Sequence, residues 1–595
     1  MSTIYNERIN ALRAQMQKNK INAIIIPQLD PHQSEYIAEH WQARYWLSGF
    51  NGSAGTLVVT DKEALLWTDS RYFIQATDQL APSGILLMKE GLPDTPTIAQ
   101  YLNQNLAKGS TVGIDGMLFS INEASSLNET LCKQEITLTT DCNLINDIWT
   151  NRPPLPEGKI FIHEEKYAGE SASSKIKKVL DSISKENADC ILISALDEIA
   201  WVLNIRANDV TYNPVATAFL LLSNTGSTLF IDNTKLDIQT IEYLSANNIK
   251  TASYSEVLTH LTSLPSDIKV IVEKAKTAHA FLTVLGERIK FGSSPIAQLK
   301  GCKNPTQIQK TREAMLRDGV ALVKSFIEIE NKLQQGDTLT EIDIADILTS
   351  HRRQQPLYFD DSFDTIAGYN DHGAIVHYSA TPETNYQIKP TGILLIDSGA
   401  QYLDGTTDIT RTITLGEPTA QQKRDFTLVM KGHIALGSAI FPAGTRGAQL
   451  DALARQFLWK DGLTYLHGTG HGVGYFLNVH EGPQSIRLNE NPTPLCAGMI
   501  TSNEPGLYRE GEYGIRCENL VLTVSAFKTE FGDFLKFETL TMFPFDLKLF
   551  DTSIMSDEEI AWINDYHTTV RERLSPMLNE EEKRWLEAKT AKLSR

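Results

Sequence analysis

Two kinds of segment are missing from this chain of 595 residues. The longest apolar runs, such as residues 218–222, have the length of a strand, so no segment is predicted to span a bilayer. There are 73 acidic and 55 basic residues, and the formal net charge of -18 leaves no broad basic surface for phosphate groups. We therefore expect neither nucleic acid nor a membrane as a partner.

Cysteine is also scarce. The six cysteines are scattered, and none stands in the C-x-x-C spacing of zinc or redox sites. Free thiols in a reducing compartment are the simplest interpretation. Residues 1–20 carry apolar side chains at helical spacing but no apolar core of signal-peptide length, which predicts a surface helix. Together these features indicate a cytoplasmic protein.

The length exceeds what one hydrophobic core supports, so about three domains are expected. Three prolines within residues 150–157 predict a linker, because a proline nitrogen cannot donate a hydrogen bond. A second break is predicted at residues 292–305, followed by a long amphipathic helix over residues 306–333. The predicted domains are residues 1–155, 156–303 and 304–595.

The first two domains share a pattern. The apolar strand at residues 23–27 is followed by Asp30, as the strand at residues 190–194 is followed by Asp197, and an aromatic segment and a second strand come next in both. Either the two are copies of one α/β unit, or they share what any two α/β units share. The sequence leaves both interpretations open.

The third domain contains a sharper repeat. Asp397 and Glu504 each end a strand before a turn, and each is followed by an acid on a returning strand, Asp408 or Glu518. Any one of these acids alone is more typical of a turn residue that caps its own loop. The repeat instead predicts two halves related by a pseudo-two-fold axis, which bring two carboxylate pairs to one centre.

Four converging carboxylates repel one another and resist ionisation, so cations are expected between them. Two divalent ions would balance four carboxylates, which favours a dinuclear site. Oxygen ligands with one or two imidazoles suit Mn²⁺, Co²⁺ or Zn²⁺ better than Cu²⁺. Of these, Mn²⁺ is our first choice.

Histidines are concentrated near the second pair of acids. Residues 465–474 read YLHGTGHGVG and contain His467 and His471, and His480 follows. Alternating glycines allow the backbone to approach a ligand closely. A phosphate-binding loop is the alternative, but neither the P-loop ending nor the G-x-G-x-x-G spacing is present. His377, 20 residues before Asp397, would alone be interpreted as a packed strand histidine.

In order and spacing, five residues resemble the metal ligands of the creatinase/methionine aminopeptidase hydrolases, which have the pita-bread fold: Asp397, Asp408, His471, Glu504 and Glu518. The HGTGHGVG run, with His480 and His377, resembles the proline-specific branch. Residues 30–36, 52–55 and 152–154 resemble segments of the three-domain cytosolic Xaa-Pro aminopeptidases. The resemblance covers nearly the whole chain and is weakest over the last forty residues.

The resemblance implies a fold of mixed α/β and α+β class, with two creatinase-like α/β domains followed by a pita-bread catalytic domain and a C-terminal helical extension. It also implies an aminopeptidase that cleaves the first bond of peptides with proline second. A hydroxide held between two metal ions would attack the carbonyl, and Glu504 would shuttle its proton.

Further roles follow from the resemblance. His480 would assist at the carbonyl as a catalytic and substrate-binding residue, while His377 and His467 would line the proline pocket in the same capacity. Arg516 lies on the same strand face as Glu518, so it can approach the substrate or orient the carboxylate. Glu35, in the segment at residues 30–36, is a further implied substrate-binding residue.

Two rival functions remain. A prolidase uses the same metal site on Xaa-Pro dipeptides, although the extra N-terminal domains argue against it. A non-catalytic peptide-binding protein is the rival from another class, since this fold also serves as a metal-free scaffold. Such relatives lose ligands, whereas all five are present here, and metal-free creatinase is disfavoured for the same reason.

The resemblance also implies a homodimer formed through the third domain. Ser556 and Glu559 predict a capping box that opens a helix, and a second helix is predicted after Pro576. Along the first helix, five apolar residues recur at helical spacing and form a stripe: Ile560, Ile563, Tyr566, Val570 and Leu574. The stripe either packs on its own domain or forms the dimer contact, in which case positions such as Val570 would be exposed.

Overall fold

The computed structural model describes residues 4–595, so the first three residues of the predicted N-terminal helix lie outside the described part. The chain divides into two compact units, Met1–Glu164 with Glu170–Ile296, and Glu165–Gly169 with Ala297–Arg595. The predicted three-domain division stays a prediction. Within residues 4–595, every helix is too short or too polar to cross a bilayer.

The N-terminal unit contains two six-stranded sheets. The strands of the first are Ala23–Pro27, Thr56–Thr60, Ala64–Thr68, Leu86–Lys89, Thr111–Gly113 and Thr137–Thr139. Those of the second are Cys190–Ile193, Phe219–Ser223, Ser227–Phe230, Ile249–Ala252, Val270–Val272 and Ile289–Phe291. The α-helices of this unit are Ile4–Lys18, Ala43–Ser48, Phe73–Leu80, Ile98–Asn105, Ile121–Cys132, Ile145–Ile148, Ala172–Lys185, Leu196–Leu203, Ile238–Ala246, Val257–Thr262 and Ala280–Leu285.

The two sheets have one topology. If the strands of each sheet are counted along the chain, both sheets have the order 4-3-2-1-5-6. In both, strand 2 pairs antiparallel with strands 1 and 3, and the outer pairs are parallel. The first strand of each, Ala23–Pro27 and Cys190–Ile193, is buried along its length, as expected for a strand covered on both faces. The shared topology favours duplication of one α/β unit.

The C-terminal unit is built from two similar halves. The first half packs the helix Pro305–Gln335 against Glu341–Arg353, and the second half packs Ala420–Gly437 against Gly447–Lys460. The first half has the antiparallel sheet Ile366–Tyr369, Ile393–Ser398 and Ile409–Thr414, and the second has the sheet Ile440–Pro442, Gly532–Thr539, Asn519–Thr529 and Ile500–Asn503. Short antiparallel strands complete the unit: Leu339–Thr340, Tyr358–Asp361, Gln387–Ile388, Ala400–Tyr402, Gly405–Thr406, Gly470–His471, Ser485–Ile486, Gly506–Arg509 and Tyr513–Arg516.

The segment between the predicted second and third domains is more ordered than expected. Residues 292–305 were expected to be a break, but Pro295–Gly301 is helical, and proline is well suited to the first position of a helix. Asn304 and Gln307 then form a capping box that opens the long helix Pro305–Gln335.

The C-terminal extension corrects one expectation. The helices Asp557–Leu574 and Glu580–Lys589 form, the first opened by the predicted capping box. However, Val570 is fully buried, and the stripe belongs to the core of its own unit together with Phe543 and Phe545. The expectation that Val570 is exposed was wrong, because a helical stripe fits a domain core as well as a dimer contact. The dimer stays a prediction that this stripe does not support.

Candidate metal centre

In the first half of the C-terminal unit, two acids lie near one end of an antiparallel strand pair. Asp397 lies in the strand Ile393–Ser398 and stands opposite Thr410 in the register. Asp408 immediately precedes the partner strand, Ile409–Thr414. Asp397 and Asp408 are 7% and 4% exposed, so both acids are held away from water.

The second half repeats this arrangement. Glu504 directly follows the strand Ile500–Asn503, and Glu518 directly precedes its antiparallel partner, Asn519–Thr529. The two halves therefore position their acids by the same local geometry, as the sequence repeat predicted.

His471 joins the two pairs. Its Nε2 atom lies 3.5 Å from Asp408 Oδ2 and 3.3 Å from Glu504 Oε1. One potential ligand atom from each of Asp408, His471 and Glu518 lies within 4.8 Å of the others, a spacing that a metal ion can bridge. The other ring nitrogen, Nδ1, is 3.0 Å from the carbonyl oxygen of Gly472. Since a carbonyl only accepts, Nδ1 carries a proton, and Nε2, which faces the two carboxylates, is the nitrogen that would bind a cation when the ring is neutral.

The remaining carboxylates each have one fixed oxygen. Arg516 Nη2 donates to Asp397 Oδ2 at 2.7 Å, and Thr410 Oγ1 donates to Glu518 Oε2 at 2.8 Å. The other oxygens, Asp397 Oδ1 and Glu518 Oε1, are buried without a hydrogen-bond partner in the described part of the chain. Buried oxygens of this kind are costly unless they are paired. They are therefore suited to coordinate a cation.

The electrostatics support the same interpretation. Burial, reinforced by the carboxylates of Asp408 and Asp397, raises the pKa of Glu504 to about 7 although His471 opposes the shift. Burial and the same neighbours raise the pKa of Glu518, and burial raises that of Asp397 against Arg516. Burial alone would lower the pKa of His471, but Asp408 and Glu504 outweigh it and raise that pKa to about 9. Divalent cations would relieve this repulsion, so the donor set fits a metal centre.

A hydrogen-bonded chain leads from Asp397 to His467. Arg516, besides its bond to Asp397, donates from Nη1 to the hydroxyl of Tyr508 at 2.8 Å. That hydroxyl is in turn 2.8 Å from His467 Nε2. Burial raises the pKa of Tyr508 to about 12, so the phenol remains protonated. The sequence analysis did not single out Tyr508, although it lies four residues after Glu504 on the next strand.

Asp451 and Arg455, which the sequence analysis also did not single out, form hydrogen bonds with the glycine-rich loop. Asp451 accepts hydrogen bonds from Arg455 Nε at 2.6 Å and from Thr469 Oγ1 at 2.5 Å. Arg455 also donates to the carbonyl oxygens of Tyr465 and His467, at 2.6 and 2.8 Å. The helical i, i+4 relation of Asp451 to Arg455 was the sequence signal that could have revealed the pair.

The other candidate residues lie as follows. The ring of His480 meets that of His471 edge-on, with centroids 4.4 Å apart. His377 lies half-buried in a turn after the short helix Asn370–Ala374, so the alternative of a strand histidine was wrong. Glu35 belongs to the N-terminal unit, where its carboxylate is 3.8 Å from Arg71.

Family comparisons agree with this architecture. Residues 309–525 match metallopeptidase family M24, and residues 533–593 match the C-terminal region of that family. Residues 8–146 and 151–307 each match the creatinase/prolidase N-terminal domain. Aminopeptidase P2 of Arabidopsis thaliana is 42% identical over 97% of this chain and 86% of its own length. The chain belongs to metallopeptidase family M24.

Other M24 relatives match over almost the full length. A probable Xaa-Pro aminopeptidase P of Coprinopsis cinerea is 40% identical over 98% of both chains. The crystal structure of X-prolyl aminopeptidase from Caenorhabditis elegans, described as a cytosolic enzyme with a di-nuclear active site, superposes with a TM-score of 0.95 at 35% identity. That match covers 99% of this chain and 100% of the other. The predicted family, fold class and enzyme class are confirmed.

Proposed function

We propose that this M24 enzyme is a metal-dependent aminopeptidase that hydrolyses the bond between the first residue of a peptide and a proline at the second position. The observation that carries the proposal is the convergence of Asp408 and Glu504 on Nε2 of His471, at 3.5 and 3.3 Å, beside the unpaired buried oxygens of Asp397 and Glu518. The relatives named for Xaa-Pro aminopeptidase activity support it.

Five side chains would hold two divalent metal ions, with Mn²⁺ as first choice and Zn²⁺ or Co²⁺ as alternatives: Asp397, Asp408, His471, Glu504 and Glu518. When bound, two such ions would supply Lewis acidity at the carbonyl and make water a nucleophile near neutral pH, as in other two-metal aminopeptidases. The oxygen-rich ligand set without thiolates suits these ions.

Glu504 would move the proton. Ser502 Oγ donates to its Oε1 at 3.0 Å, which fixes the orientation of the carboxylate. Oε2 can then accept the proton of the attacking water and deliver it to the proline nitrogen as the bond breaks. Proton transfer by a positioned side chain typically contributes about 10²–10⁴-fold to a rate.

The histidines would bind the substrate. His480, beside His471, would donate a hydrogen bond to the carbonyl oxygen as negative charge develops there. His377 and His467 would line the proline pocket, and the bond from Tyr508 to His467 would fix the orientation of that ring. Arg516, fully engaged with Asp397 and Tyr508, would hold the ligand carboxylate, and Glu35 remains a proposed substrate contact.

Proline explains the need for a dedicated enzyme. Its nitrogen carries no hydrogen and its ring restricts both its own backbone and that of the preceding residue. Peptidases that bind the N–H at that position therefore fail on such peptides.

The test is cleavage of four peptides by metal-loaded enzyme: Arg-Pro-Pro, Arg-Ala-Pro, N-acetylated Arg-Pro-Pro and the dipeptide Arg-Pro. We expect cleavage of Arg-Pro-Pro alone, and its loss after exhaustive chelation with recovery on adding Mn²⁺. Comparable rates on the first three peptides would refute the proposal. Cleavage of Arg-Pro but not Arg-Pro-Pro would indicate a prolidase instead.

The cellular setting is part of the proposal. All six cysteines are free thiols, as expected in a reducing compartment, and the relative from Caenorhabditis elegans is described as cytosolic. We therefore propose a cytoplasmic enzyme. Sedimentation at micromolar concentration tests the predicted homodimer, which should have twice the chain mass of 66.3 kDa.

A further inference from the structure

A buried ionic cluster lies directly beside the candidate metal centre. Glu481, the residue after His480, is 4% exposed, and its two carboxylate oxygens each face a lysine. Lys303 Nζ lies 3.0 Å from Oε1, and Lys300 Nζ lies 3.0 Å from Oε2. The lysines are 5% and 3% exposed. Two ammonium groups thus share one carboxylate away from water.

The lysines come from outside residues 309–525, the part of the chain that matches the metallopeptidase family. They lie at the end of the helix Pro295–Gly301 and in the residues after it. The backbone N–H of Lys303 donates to the carbonyl oxygen of Gly498 at 2.9 Å. A β-carbon on Gly301 would lie 2.6 Å from Cδ of Pro483, so only glycine allows this approach to the turn after Glu481. Residues 300–303 therefore contact that turn at both Glu481 and Pro483.

The turn is joined directly to the candidate ligand His471. The backbone N–H of Glu481 donates to the carbonyl oxygen of Gly472 at 2.7 Å. The same oxygen accepts from Nδ1 of His471 at 3.0 Å, the bond that leaves Nε2 facing Asp408 and Glu504. Glu481 thereby affects two imidazoles, since it is bonded covalently to His480 and through Gly472 to His471.

Stability alone does not account for this cluster. A buried ion pair adds little net stability compared with apolar packing, because each charge loses its hydration. Burial lowers the pKa of Lys303 despite the attraction of Glu481, which reflects that cost. Outer residues that orient a metal ligand, in contrast, commonly change metal affinity or activity by about 10–100-fold.

We propose that Glu481, clamped by Lys300 and Lys303, is a positioning residue that fixes the orientation of His480 and His471 for the reaction. This inference rests on the proposed function, in which those two histidines act on the substrate and the metal ions. It makes the segment at residues 300–303, which precedes the metallopeptidase match at residues 309–525, part of the active site.

The experiment compares Glu481→Gln, Lys303→Met, His480→Ala and the double variant Glu481→Gln/His480→Ala in the full-length enzyme. We expect Glu481→Gln to lower kcat about 10–100-fold with KM changed less than about threefold. The double variant should lose less than the sum of the two single free-energy losses, because the part of the effect of Glu481 that acts through His480 is already absent in His480→Ala. Lys310→Met, which removes the half-exposed pair of Lys310 with Glu313, is the matched control and should keep the wild-type rate.

Additive losses in the double variant, or a wild-type kcat in Glu481→Gln, would overturn the inference. If Glu481→Gln does not fold, as judged by circular dichroism, Lys303→Met replaces it and is combined with His480→Ala in the same way. Additive losses in that pair would likewise overturn the inference. Mn²⁺ affinity of metal-stripped protein, measured by calorimetry, is independent of substrate and should fall about tenfold in Glu481→Gln. If the wild type cleaves none of the peptides, the proposed function fails, and unchanged Mn²⁺ affinity in Glu481→Gln would then overturn the positioning role as well.

Discussion

The hydroxyl of Thr410 offers a test of how the carboxylates of the candidate metal centre are oriented. It is fully buried, donates to Glu518 Oε2 at 2.8 Å and accepts from Arg516 Nε at 3.2 Å. Thr410→Val keeps the side-chain shape but removes the hydroxyl. A hydrogen bond to a charged group contributes about 1.5–3 kcal/mol, which corresponds to a change of roughly 10–100-fold in an equilibrium constant.

We therefore expect Thr410→Val to weaken Mn²⁺ binding by about 10–100-fold, the range typical of residues behind a metal ligand. The assay is calorimetric titration of metal-stripped protein, with urea unfolding of the same samples. The matched control is Thr412→Val, two residues along the same strand, whose buried hydroxyl bonds only the backbone of Arg516, at 2.9 and 3.1 Å. Both variants should lose similar stability, about 1–3 kcal/mol. Equal metal affinity in Thr410→Val and wild type, or an equal loss in Thr412→Val, would refute the reasoning.

Three further outcomes are expected. Glu504→Gln should lower kcat by about a hundredfold or more, with metal content measured in parallel to separate lost chemistry from lost metal. Val570→Asp should lower the free energy of unfolding by about 3–5 kcal/mol, since it buries an unpaired charge; a stable monomer instead would place Val570 at a subunit contact. Burial lowers the pKa of His567 to about 3, and its Nε2 accepts from the backbone N–H of Phe545. The contribution of neutral His567 to stability is complete above the unfolded pKa of about 6.5 and is lost as pH falls towards 3. Between pH 7 and pH 5, the free energy of unfolding measured in urea should therefore fall by about 2 kcal/mol less in His567→Gln than in the wild type.

The four acids could be proposed from the sequence because the same strand and turn pattern recurs in the two halves. Asp397 and Glu504 lie at the ends of apolar strands. A buried strand that ends in a carboxylate can be recognised from the sequence without knowledge of the tertiary structure. Of the residues that orient them, Arg516 was named from the sequence for its strand face, but its pairing with Asp397 was not, and Thr410 was not named at all. Thr410 contacts Glu518 across 108 residues, and Arg516 contacts Asp397 across 119. Pairings over such separations depend on the folded topology, and threonine and arginine carry no distinctive local pattern.

The exposure of Val570 was misjudged, and the helix Pro295–Gly301 within the predicted break was not foreseen, for related reasons. Helical spacing establishes that a face is apolar, but the same face suits a core or a partner subunit. Glycine and proline near residues 292–305 indicated a break, although proline also opens helices well. In both places the local sequence pattern fitted two structures equally well.

The split of the acids between two halves also constrains the order in which the site can assemble. Glu504 is synthesised 96 residues after Asp408, which at synthesis rates of about 5–20 residues per second is a delay on the order of 5–20 s. During that interval the chain lacks Arg516 and the second pair of acids, and until residue 471 is added it also lacks His471. The full set of candidate ligands is therefore present only after Glu518 has been synthesised. Metal should accordingly stabilise the finished enzyme against unfolding, through binding to the native state alone, while leaving the early folding of the nascent first half unchanged.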